Sequence, residues 1–174
     1  MTTQQSAFWT FSLAVYGNAD VQQECLNLQD VYGVDVNLLL LCAFVGAVHG
    51  AIVPAEALEE AAAAVCEWHK TVVTGLRAVR RALKAFATKP SAFAPSAADL
   101  RAGVKACELE AERIEQTILE HWSGPRIDAW QRARPADAVP RNIKTLFATL
   151  RLAQTPDPPL GLIAAALSAS DQVH

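Results

Sequence analysis

A chain of 174 residues with 52% hydrophobic residues is long enough to close a core without disulfides or metals. Its charged fraction of 19% and net charge of -3 exclude a global positive field that would draw in nucleic acid, so any such role needs a local patch. The longest apolar run, Leu38–Val53, is broken by Gly46, His49 and Gly50 and falls short of the roughly 20 residues a spanning helix needs, so no membrane span is expected.

Residues 1–7 carry no Lys or Arg, so no export signal is expected there and the reading is cytoplasmic. Two similar punctuations follow, Tyr16-Gly17-Asn18-Ala19-Asp20 and Tyr32-Gly33-Val34-Asp35. In each, Gly can take a left-handed helix stop and Asp can cap the next helix. They predict helices over 7–16, 21–32 and 36–49. The third, with Leu38-Leu39-Leu40-Leu41, is apolar all round and belongs at the centre of a bundle.

Pro54 suits a first helical turn, and Glu56, Glu59 and Glu60 favour its positive end. Apolar residues then step four and three apart from Leu58 through Val65, His69, Val72, Leu76, Val79 and Leu83 to Phe86. Pro90 and Pro95 mark a linker, and a second stripe runs through Leu100, Val104, Cys107, Ala111, Ile114 and Ile118 in a helix over 97–122. Two such helices are expected to form a long antiparallel hairpin. Residues 123–140 hold three prolines and predict an irregular crossing segment. Helices over 141–154 and 160–168 complete an all-α bundle of six or seven helices, read as one domain over 1–174. The last is nearly uncharged and has to dock on its own chain or on a second copy.

Four groups of residues are candidates for function. Gln29, Asp30, Asp35 and Asn37 form a polar cluster where the second and third helices meet; it is either a structural knot or the polar end of a pocket. His69 is the one ionisable residue on its stripe, a core histidine or a weak acid-base candidate. Arg77, Arg80, Arg81 and Lys84 face a helix rich in Glu108, Glu112 and Glu115. They either pair along the seam or form an anion site. Trp9 and Trp68 belong to an aromatic set that fills the core, lines a pocket or anchors an interface. The cysteines Cys25, Cys42, Cys66 and Cys107 form no CxxC pair and read as buried thiols. No HExxH or Glu-x-x-His spacing, phosphate loop or nucleophile elbow occurs, so no metal and no cofactor are expected.

The motifs Phe8-Trp9-Thr10-Phe11-Ser12-Leu13, Leu28-Gln29-Asp30 and Gly33-Val34-Asp35-Val36-Asn37-Leu38, with Trp68, Arg77, Arg80-Arg81 and Glu108 to Gln116, resemble a small proteobacterial family of uncharacterised proteins, a domain of unknown function. The resemblance covers about residues 7–120. It implies a bacterial cytoplasmic protein, carries no activity, and points to Gln29, Asp30, Asp35, Asn37, Arg77, Arg80 and Glu112 as motif positions. The expected function is a non-enzymatic helical adaptor acting through protein contacts, with a homodimer as one form. One alternative is a small-molecule binder or enzyme with a polar-ended pocket between the second to fifth predicted helices. The other is anion, phosphate or nucleic-acid binding by the basic helix face.

Overall fold

The structure is a computed structural model and describes residues 6–170. Residues 1–5, on which the expected lack of an export signal mostly rests, and His174 lie outside the described residues. The helices are α1 (Ala7–Tyr16), α2 (Ala19–Tyr32), α3 (Val36–His49), α4 (Ala55–Trp68), α5 (Thr74–Thr88), α6 (Ala94–Ile127), α7 (Pro135–Thr149) and α8 (Leu160–Ala169), with a π-helical turn at His69–Val73 between α4 and α5. The fold is all-α, as the periodicity predicts. Among the described residues the β pairing is a single bridge between Ala51 and Arg132. No helix among them is long and apolar enough to cross a membrane.

The chain divides into two compact units, one comprising the residues up to Ala64 and from Gln116 onward, the other Val65–Glu115. In the first, α3 is the central rod: every residue from Asn37 to Ala47 is buried. Phe8 and Phe11 of α1 pack on Phe44, with ring centroids 5.1 and 5.4 Å apart. Gly46 lets α7 pack tightly, because a Cβ there would lie 2.8 Å from the Val139 nitrogen. The apolar α8 docks on its own chain, against α1, α2, α3 and α7.

Carboxylates borrowed from elsewhere in this unit finish two helix starts. Glu120 accepts from the Phe8 backbone N–H (3.0 Å). Glu24 accepts from Gly161 (3.0 Å) and Leu162 (2.8 Å) at the start of α8, which has no side-chain cap of its own. A negative group there answers both the orphan N–H groups and the positive end of the helix dipole.

The second punctuation is as the sequence predicts: Gly33 is left-handed (φ 70°) and Asp35 accepts from Asn37 N–H at 2.8 Å. The first differs. Gly17 is right-handed, and Asn18 rather than Asp20 caps α2, so the helix begins at Ala19. The irregular segment expected over 123–140 shrinks to the stretch between α6 and α7. Pro125 falls in the last turn of α6, which runs on only to Ile127, and Arg126 Nη1 donates to the Trp122 carbonyl (2.6 Å), one of the last carbonyls of the helix. Pro135 opens α7, where its missing N–H costs nothing.

The second unit is the antiparallel hairpin of the α4 end, the π turn, α5 and the first part of α6. Trp68 bonds to Ala111 and Arg77 to Glu108, a pairing that runs the two strands of the hairpin in opposite directions. The π turn is closed by Thr74 N–H donating to the His69 carbonyl. Its extra residue rotates the stripe, so Val73 is fully buried where the unbroken repeat puts Val72. The outer end of the hairpin also departs from expectation: Val79, Phe86 and Leu100 are exposed, at 49%, 64% and 58%. Nor are all the thiols buried. Cys25 and Cys42 are, Cys66 is half-buried and Cys107 is exposed.

Candidate functional site

Within the hairpin, side chains from α5 and α6 meet on two flanks of one seam. On the polar flank, Arg77 Nε donates to Glu108 Oε1 (3.0 Å) and its Nη2 to Glu112 Oε1 (2.8 Å). Arg80 Nε also donates to Glu108, and its Nη2 reaches Glu108 Oε1 at 3.2 Å. One buried carboxylate is thus held by two guanidinium groups, a fork geometry that lysine cannot supply. At the π turn, His69 Nδ1 lies 3.1 Å from Oε2 of Glu115, whose side chain is wholly buried. A carboxylate in that position fixes the imidazole tautomer and orientation.

The two arginine-bound carboxyls are driven apart. Burial disfavours the Glu108 anion, but hydrogen bonds and charge from Arg80 and Arg77 outweigh it and hold this carboxyl below the usual glutamate range. Glu112 goes the other way: burial and the nearby Glu108 charge push it up against the pull of Arg77.

On the other flank lies an apolar groove of about 420 Å³ lined by Trp68, Val72, Leu76, Cys107, Ala111 and Ile114. The Trp68 ring is fixed by Nε1–H donating to the Ala111 carbonyl (3.0 Å). The one charged residue lining it is Glu110, which pairs with Arg113.

These contacts bring together five of the expected residues, Trp68, Arg77, Arg80, Glu108 and Glu112, with His69 beside them. Arg81 is exposed on α5. The other candidates are in the first unit. Trp9 is half-buried on α1. Gln29 donates to Asp30 (3.2 Å) at an exposed position, so this pair is not a buried knot. Asp35 caps α3, and buried Asn37 accepts from Gln116 Nε2 of α6 (2.9 Å).

Two polar positions were not singled out from the sequence. Asn142 is fully buried: its Oδ1 accepts from Val53 N–H (2.9 Å), and its Nδ2 donates to the carbonyls of Cys42 (3.2 Å) and Ala51 (2.9 Å). The signal was an Asn on the apolar edge formed by Val139, Ile143 and Leu146. Glu24, the α8 cap, had none, because its partners are distant in sequence. The buried thiols are no nucleophiles: burial raises Cys25 to about 12, against a hydrogen bond from Tyr16, and also raises Cys42.

Residues 7–119 match a family described as proteins of unknown function, DUF2390. The chain belongs to that family. No curated protein and no solved structure matches it. The family match takes in the whole hairpin of this DUF2390 chain and stops before the end of α6.

Proposed function

We propose that this DUF2390 chain is a non-enzymatic binding protein that acts through protein contacts, with the α5–α6 groove as its docking surface. The observation that carries the reading is the division of the seam. Arginine and glutamate satisfy one another on one flank, and the other flank presents a nearly uncharged groove between two long helices. Exposed Val79, Phe86 and Leu100 extend apolar surface beyond it. An amphipathic helix of a partner protein is the occupant such a groove accepts, laying apolar side chains at helical spacing along it. Arg77 and Arg80, being engaged by Glu108 and Glu112, support this reading over an anion site on the same helix. Exposed Cys107 fits a reducing compartment such as the cytoplasm.

The test uses a tagged full-length chain to capture partners from its own cells, followed by titration of the purified partner. Val72→Asp and Leu76→Asp are expected to weaken binding at least about tenfold, since each places a charge in apolar contact. Undiminished binding by both variants overturns the proposal. Light scattering alongside identifies the case in which the occupant is a second copy, as a dimer that Leu76→Asp dissolves.

A further inference from the structure

A stretch after the hairpin carries an excess of positive charge that the whole chain lacks. Between His121 and Arg151 there are six cations and two carboxylates, in a chain of net charge -3. The cations are at the surface: the side chains of Arg126, Arg132 and Arg134 are 44%, 50% and 83% exposed. Arg134 at the α7 cap and Arg141 are seven residues apart, so they share one face about two turns along.

Two indoles sit among these charges. Tight turns after α6, with Ala129 N–H donating to the Arg126 carbonyl (3.0 Å) and Trp130 N–H to Ile127 (3.1 Å), bring Trp130 back to Trp122, ring centroids 6.2 Å apart. The Arg126 guanidinium lies over the Trp122 ring, 4.8 Å from its centre. Arg132 is held in place by Nη1 donating to the His49 carbonyl (2.6 Å).

The geometry points to a binding surface for single-stranded nucleic acid, on which Arg126, Arg132, Arg134 and Arg141 take phosphates and Trp130 and the Arg126–Trp122 stack take bases. Planar rings flanked by guanidinium groups are what unstacked bases and their backbone require. An anionic lipid surface fits less well. Apart from the two half-buried indoles, no large apolar side chain between Leu109 and Leu160 is exposed among the described residues, so the surface lacks the broad apolar face that lipid insertion takes. The acidic neighbours do not block the surface. Asp128 bonds to Arg132 and Asp137 to Arg134 at exposed sites (2.8 Å each), and Glu60 is 3.9 Å from Arg126. Exposed pairs of that kind are weak enough for phosphate to displace. This surface shares no residue with the groove, so the two proposals stand or fall separately.

The experiment is fluorescence anisotropy of labelled 15-mer oligo(U) and oligo(dT) with the full chain. Four phosphate contacts predict a salt slope near -3 and so about a fifty-fold loss of affinity between 50 and 200 mM salt. The doubly substituted Arg134→Glu, Arg141→Glu chain, altered only at exposed positions, is expected to abolish binding, and Trp130→Ala to weaken it about tenfold. The Lys89→Glu, Lys105→Glu chain, an equal change of charge at exposed positions of the hairpin, is expected to keep at least a third of the affinity. Three results would overturn the proposal: no binding at 50 mM salt, the same loss in the Lys89→Glu, Lys105→Glu chain as in the arginine double variant, or tighter binding to phosphatidylglycerol vesicles than to either oligonucleotide.

Discussion

In α3 every residue from Asn37 to Ala47 is buried, whereas α5, of similar length, has no fully buried residue. The first unit therefore rests on apolar burial, with interior polar groups that are few and neutral, Asn142 the most fully bonded among them. The hairpin rests on charge: two arginines and two glutamates hold a seam whose apolar residues stay partly uncovered. The difference shows what each kind of stabilisation leaves available. A core that buries its apolar surface keeps none to offer, while a seam tied by ion pairs can leave an apolar flank open to something else.

The sharpest way to break the comparison is Asn142→Ala. It strands the buried Val53 N–H and the Ala51 carbonyl, at roughly 1–3 kcal/mol for each group left unpaired, while the Cys42 carbonyl keeps its bond within α3. A loss of roughly 3–5 kcal/mol in urea denaturation is expected, and a loss under about 1 kcal/mol would mean the first unit does not depend on its neutral polar knot.

Glu108→Gln comes next. It removes the charge that both Arg77 and Arg80 bond, and roughly 2–3 kcal/mol of lost stability is expected. Hydrogen exchange should quicken at α5 amides. Slow exchange there, equal to that of α3 in the unaltered chain, would show that the hairpin is not the weaker unit.

The smallest effect is the response to pH. A carboxyl held low, as Glu108 is, contributes stability above its unfolded value that is lost as pH falls through its folded one. Glu112, pushed up, contributes stability at acid pH that is lost as pH rises through its folded value. The two slopes oppose each other. Glu112→Gln removes one of them, so acidification from about pH 7 to 3 should destabilise this variant more steeply than the unaltered chain. Denaturation series across that range check the sign, and a shallower profile contradicts the assignment.

Several of these features were legible in advance because they are local. The apolar run around Leu38–Leu41 marks α3, the Gly33 and Asp35 pair marks a turn and cap, and the four-and-three spacing marks both arms of the hairpin. The seam charges could be paired from the wheel only in part: Arg80 and Glu108 flank their stripes and do meet, whereas Glu115, which flanks the same stripe, bonds His69, and the Arg77–Glu112 bond was not legible from the stripe. The π turn could not be read, because a repeat of apolar residues does not say where one extra residue enters a helix. Nor could the groove, because spacing tells which residues are apolar but not which of them remain uncovered.

From residue types and their intervals alone follow the helical class, the central rod, the antiparallel hairpin and the lack of any familiar catalytic motif. Only the tertiary structure decided that α8 docks on its own chain, that Asn142 and Glu24 satisfy distant backbone groups, and that Trp130 folds back beside Trp122. Each of these joins positions remote along the chain. Periodicity reports one helix at a time, whereas burial, pairing and the local concentration of charge are set by which surfaces the folded chain brings together.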